Sequence, residues 1–244
     1  MSGRTSRALP FPFPLAPGQI SENRRQILSA LAASDSGFAS LPIRSIRTAT
    51  LLRMRDEVDR LCLGGFLLRT NGDIPVTVSS RMTSAAGKFV YSRQPGSFSG
   101  CEIRLSTDFL FRLRKGPFHL NGLTVQTPQE AFLIVFEHEV IHAAEYALFG
   151  RTGHSKRFLT LAHGLFGHTE TVHALPTRSA EAAAAGIVPG AQVRFVFEDR
   201  PLTGTVARVG KTVTVMVPDP WGAYRDARGR RYRKFRVSPG LLIP

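Results

Sequence analysis

Residues 131–158 read AFLIVFEHEVIHAAEYALFGRTGHSKRF, and at their centre stands His138-Glu139-Val140-Ile141-His142. The flanks, Phe132 to Phe136 and Ala143 to Phe149, are almost wholly apolar. A run of this length, apolar on every side, is predicted to be a buried α-helix. Positions i and i+4 of a helix share a face, so His138 and His142 can aim their imidazoles at one point. Left unpaired in a buried helix, two histidines and a carboxylate would cost several kcal/mol. A metal ion held by the two imidazoles, with Glu139 beside it as general base, removes that cost. The three fixed residues arise by chance in roughly one chain of this length in fifty to a hundred. The weight therefore falls on the surroundings.

Those surroundings supply a third ligand. Gly150 and Gly153 bracket Gly-Arg-Thr-Gly, where a helix can end and the chain turn back. His154 follows, twelve residues after His142, at the opening of a second helical run, SKRFLTLAHGLF. Three histidines leave a fourth position for water, the arrangement of a catalytic rather than a structural zinc. Glu145 is i+3 from His142 and reads as a group holding an imidazole N–H, or as packing. His163 is predicted to line the helix interface, and His168 and His173 to have structural or supporting roles. His119 lies in a loop-like stretch without a signal. Tyr146 reads either as an oxyanion donor or as core.

Composition bounds the rest. The chain has 244 residues, 43% of them hydrophobic, enough for one large or two modest domains. No apolar run approaches the ~20 residues of a membrane-spanning helix. Cys62 and Cys101 are the only cysteines, so a cysteine zinc ribbon is excluded and a reducing, intracellular compartment is expected. Net charge is +14 and the isoelectric point about 11.1, which points to a polyanionic partner, chiefly nucleic acid. Residues 187–244 carry 11 basic and 4 acidic groups, half of the net excess. Seven of the basic groups, Arg225, Arg228, Arg230, Arg231, Arg233, Lys234 and Arg236, fall together with Asp226 as the one acid among them. Trp221, Tyr224, Tyr232 and Phe235 lie among or beside them, either to stack on unpaired bases or to pack inside a β-domain.

Along the chain, residues 1–20 (Ser/Arg, then LPFPFPLAPG) are predicted to be a disordered basic, proline-rich arm. Ser21–Ala33 and Ile43–Cys62 have helical periodicity. Ile74–Ser80, Gly87–Ser92 and Cys101–Ser106 read as strands of a small antiparallel sheet. A short helix near Thr107–Leu113 and a loop precede the motif helix, which Thr127-Pro128-Gln129-Glu130 can start, with Thr127 as N-cap. Beyond Ala185, short β runs at Val193–Phe197, Thr205–Val209, Thr212–Val217 and Lys234–Val237 suggest a small SH3-like barrel, with Pro-Leu-Thr-Gly and Val-Gly-Lys as turns. The expected division is 21–185 for the core and 186–244 for the barrel. The fold class is α+β with an all-β appendage.

Four blocks in order carry a family resemblance: Arg81-Met82-Thr83-Ser84-Ala85-Ala86-Gly87-Lys88, Glu102-Ile103-Arg104-Leu105-Ser106, His138-Glu139-Val140-Ile141-His142 and Gly153-His154-Ser155-Lys156-Arg157-Phe158. Together they resemble the SprT-like zinc metalloproteases, over roughly Ile43–Val172. The resemblance implies a zincin-like core, Zn2+ on His138, His142 and His154, and Glu139 as catalytic base of an endopeptidase. It also implies protein substrates bound or crosslinked to DNA, hence a role in DNA repair. Ser155 stands where the family commonly has glycine, and the cysteine ribbon of bacterial members is missing. The competing expectation is a nucleic-acid-binding adaptor whose zinc site is structural or inactive.

Overall fold

The computed structural model of the chain describes residues 8–82, 84–91, 100–113, 116–172 and 178–244. Expectations for residues 1–7, Thr83, Ser92 and His173 lie outside the described residues. The chain forms two compact units, Met1–Leu175 and Pro176–Pro244.

The first unit opens with α1 (Pro17–Ser34), the short α2 (Ser36–Ala39), α3 (Thr48–Cys62) and α4 (Phe66–Asn71). Ile20, Ile27 and Leu31 of α1 and Leu51, Met54, Val58 and Cys62 of α3 are buried at helical spacing. Asp35 caps α2 by accepting from the backbone N–H of Gly37 and Phe38, and it also accepts from the Thr50 hydroxyl. The segment expected as a disordered arm is packed from Leu9 onward. Phe11 is buried against Phe66, Phe13 fills the space beside Gly164, and the Leu15 N–H donates to the Gly164 carbonyl. Its last residues, from Pro17, open α1; before them the prolines forbid a helix, but Leu9, Phe11, Phe13 and Leu15 alternate. An extended chain can bury such a pattern along one edge.

Three strands follow: β1 (Val76–Ser79), β2 (Gly87–Val90) and β3 (Glu102–Ser106), in the order β1-β3-β2. The sheet is mixed rather than antiparallel, because β3 pairs parallel to β1 and antiparallel to β2. The chain crosses from β1 to the far edge and returns to fill the middle. This leaves β2 as an edge strand. After the single turn of α5 (Thr107–Leu110), β4 (Phe118–Leu120) and β5 (Leu123–Val125) form a hairpin where a loop was expected. Its turn is Asn121-Gly122, both at positive φ (51° and 78°), the pairing that two-residue hairpin turns favour.

The motif helix is α6 (Pro128–Phe149), buried on all sides. A full capping box starts it, Thr127 accepting from the Glu130 N–H and Glu130 from the Thr127 N–H. Gly150 ends it in the left-handed region at φ 66°, a conformation that glycine adopts without strain. Next comes α7 (Lys156–Phe166). His154 therefore lies in the connecting loop and not at the start of the second helix. Among the described residues, no helix is long and apolar enough to cross a membrane. Cys62 and Cys101 are both buried thiols without a disulfide.

The second unit holds α8 (Arg178–Ala184) and a five-stranded antiparallel sheet. Its strands are β6 (Gln192–Phe197), β7 (Arg200–Arg208), β8 (Val213–Pro218), β9 (Tyr224–Arg225) and β10 (Arg231–Val237), in the order β6-β7-β8-β10-β9. Helix α8 contributes Ala182 to this core together with Val193, Phe195, Val206, Val213 and Val215. Pro201-Leu202-Thr203-Gly204 lies within β7 and is not a turn. The chain turns instead at Glu198-Asp199, both at positive φ (49° and 59°). After a 3-10 turn at Pro239–Leu241, Arg194 and Ile243 exchange backbone hydrogen bonds at 2.7 and 2.9 Å.

Candidate metal centre

Helix α6 carries His138 and His142 one turn apart, and the turn at Gly150 brings back the loop that carries His154. Nε2 of His138 lies 3.0 Å from Nε2 of His154 and 3.2 Å from Nε2 of His142. One nitrogen from each of the three lies within 4.8 Å of the others. Two nitrogens on one tetrahedral zinc, each about 2.0–2.1 Å from the ion, stand about 3.4 Å apart, close to what is seen. The buried ring of Phe158, in the first turn of α7, forms a floor, its centroid 4.5–5.0 Å from all three imidazole centroids. Three ring nitrogens converging over an apolar floor fit a borderline divalent ion such as zinc, for which imidazole is a favoured ligand.

Glu139 points to the other side of the same cleft. The cleft has a volume of about 340 Å³, and its lining includes Gly87, Lys88, Phe89 and Tyr91 of the β2 edge besides the histidines. Its carboxyl is buried, which pushes its pKa up to about 8, against a smaller lowering by the Phe89 backbone N–H that it accepts from. This is the shift of the metal-free site; a divalent cation beside the carboxyl would favour its charged form. The β2 strand approaches α6 closely here because residue 87 is glycine. Tyr146 is buried against Tyr91 and Phe89, with ring centroids 4.8 and 6.0 Å away, and so packs in the wall.

Behind the site lies a second polar cluster. Glu137, fully buried, accepts from Arg24 Nε at 2.8 Å and Nη2 at 2.6 Å, and from His168 Nε2 at 2.9 Å. His168 in turn meets Asn121 Nδ2 through its Nδ1 at 3.3 Å. Burial alone would raise the Glu137 pKa, but the Arg24 guanidinium and His168 hold it below the usual carboxylate range. This cluster ties α1, the hairpin turn and the segment after α7 to the residue preceding His138. His168 thus has the supporting place expected of it. His163, by contrast, is exposed on α7 rather than lining an interface, and exposed His119 bonds to Thr124 within the hairpin.

Glu145, late in α6, is bonded to the loop that precedes His154. Its Oε2 accepts from the Thr152 hydroxyl at 2.9 Å and the Gly153 N–H at 3.0 Å, and Thr152 Oγ1 lies 2.8 Å from His142 Nδ1.

In the second unit the seven basic residues from Arg225 to Arg236 are all exposed, on β9, β10 and the turn between them. Arg230 pairs with Asp226 and Arg233 with Asp219. The aromatics divide. Phe235 packs against Phe195 and Phe197, and Tyr232 is half-buried with its hydroxyl on Asp226. Trp221 is 88% exposed, and Tyr224 is exposed with the Lys234 ammonium 4.5 Å above its ring.

A helix-borne histidine cluster, completed from a following loop and faced by a buried glutamate and a sheet edge, defines the class: a protein with three histidines placed so that they could hold a metal ion. A model of the SprT-like family matches residues 51–177, a span that includes β1 to β5, α6 and α7. The chain belongs to the SprT-like family. No curated protein and no solved structure matched it.

Proposed function

We propose that this protein is a zinc-dependent endopeptidase acting on proteins bound or crosslinked to DNA. The observation that carries the reading is the convergence of His138, His142 and His154 through Nε2 in the cleft where the Glu139 carboxyl lies buried. Zn2+ held by the three imidazoles would supply Lewis acidity at the scissile carbonyl and lower the pKa of the attacking water. Glu139 accepts the proton of that water and hands it to the leaving nitrogen. The β2 edge faces the cleft and offers backbone groups to an extended peptide.

The zincin reading of the core rests on α6 packed against the β2 edge of the mixed sheet. The SH3-like barrel reading of the second unit rests on the Arg194–Ile243 bridge, which joins the first strand of the sheet to the chain terminus. The link to DNA rests on the exposed basic residues of β9 and β10, suited to neutralising phosphates, with Trp221 available for stacking. Base-specific contacts are not invoked.

Cleavage of histone or casein, with and without DNA, by wild type and Glu139→Gln tests this reading. DNA-stimulated cleavage by the wild type alone supports it. Cleavage indifferent to DNA leaves a protease without the DNA link. DNA binding without cleavage by either form sustains the adaptor instead.

A further inference from the structure

We infer that Thr152, oriented by Glu145, is a positioning residue that fixes the tautomer of His142, holding the ring proton on Nδ1 and leaving Nε2 bare for the metal. The inference rests on the reading of the three histidines as a metal site. It follows from counting protons. Oε2 of Glu145 receives the Gly153 N–H at 3.0 Å, a group that can only donate. The same oxygen lies 2.9 Å from Thr152 Oγ1, and a carboxylate oxygen accepts, so the hydroxyl donates its single proton there. Thr152 Oγ1 then has only lone pairs to offer to His142 Nδ1, 2.8 Å away. Nδ1 must carry the hydrogen. A neutral imidazole with its proton on Nδ1 has an open Nε2, and Nε2 is the atom that His142 turns toward His138.

The arrangement also accounts for a buried carboxylate late in an apolar helix. Glu145 is 3% exposed, and a buried charge needs partners. Thr152 and Gly153 both bond to Oε2, and the Ser155 hydroxyl lies 3.4 Å from Oε1. These residues flank His154. One carboxylate thus holds the loop that delivers the third ligand and, through Thr152, sets the protonation of the second. Glu145 and His142 share a helix, yet the link between them runs through a loop residue ten positions after His142.

The test uses the full chain. Long-range 1H–15N correlation of the metal-free protein reads the His142 tautomer without any variant, and Nδ1–H is the expected form. In Thr152→Val, which keeps the shape and removes the acceptor, the Nε2–H form becomes populated. Zinc affinity, measured by competition with a chromophoric chelator, falls about 10–100-fold. Thr152→Ser restores both tautomer and affinity, which a merely space-filling role for the methyl-bearing side chain would not give. A wild-type His142 protonated on Nε2, or Thr152→Val binding zinc as tightly as the wild type, overturns the inference. A wild type with the expected tautomer that binds no zinc would uphold the relay and remove the metal reading instead.

Discussion

Gly87 stands so close to Glu139 that a methyl group on its Cα would lie 2.6 Å from Oε1 and 2.8 Å from Cγ. The edge strand and the catalytic-base candidate are therefore fitted to each other, and only a residue without a side chain permits the approach. Gly87→Ala must push the carboxyl aside or lift the strand. The expected result is a fall of about 100-fold in kcat from misplacement of the base, with zinc content unchanged. Peptidase activity of Gly87→Ala within twofold of the wild type would show that Glu139 needs no such fit.

Arg24 and Glu137 form a buried ion pair, with side-chain exposures of 21% and 1%. Removing one partner strands the other. Arg24→Met is expected to lower stability by about 3–5 kcal/mol, read by urea unfolding. Arg24→Met combined with Glu137→Gln should recover much of the loss, because His168 can still donate to the amide oxygen. If the double variant is no more stable than the single, the stranded charge is not the cause.

Burial raises the Glu139 pKa from 4.5 to about 8. In the metal-free protein the folded state then binds more protons than the unfolded one between these values. Unfolding free energy falls as pH rises through that window and levels above about 8. Glu139→Gln removes this contribution, so the stability difference, variant minus wild type, should grow from pH 4.5 to about 8. A difference that is flat with pH, or that shrinks, would mean that Glu139 is ionised in the metal-free fold.

The exposed basic strands give a prediction for the proposed partner. Arg231, Lys234 and Arg236 changed together to Glu should weaken binding to random-sequence duplex DNA and lower the slope of log affinity against log salt by about 2–3. Zinc binding should be untouched. An unchanged salt slope would place the DNA contacts elsewhere.

Much of this was legible in the residues, for identifiable reasons. Helix α6 announces itself because an apolar run with Thr127-Pro128 and Glu130 at its start and Gly150 at its end admits little else. The i,i+4 histidines follow from helical geometry. That His154 returns to the two helix histidines was legible because glycines mark the reversal, but its place in a loop was not. The β4–β5 hairpin stands where a loop is expected, although Asn121-Gly122 between two short β runs is its signal. Glu198-Asp199 was hidden because acidic pairs rarely take positive φ, while the more turn-like Pro201 to Gly204 lies inside a strand. In the mixed sheet, strand direction depends on long-range pairing that alternation cannot encode. Arg24, Asn121 and Thr152 belong to the site only through contacts across 113, 47 and 10 positions, and no local pattern singles them out.

The most direct measurement is zinc content together with protein cleavage for wild type and Glu139→Gln, prepared side by side. The account predicts about one zinc per chain in both, held in competition with a chelator, and cleavage by the wild type alone. Zinc-loaded wild type that cleaves nothing, or a Glu139→Gln variant that cleaves as well as the wild type, would contradict it.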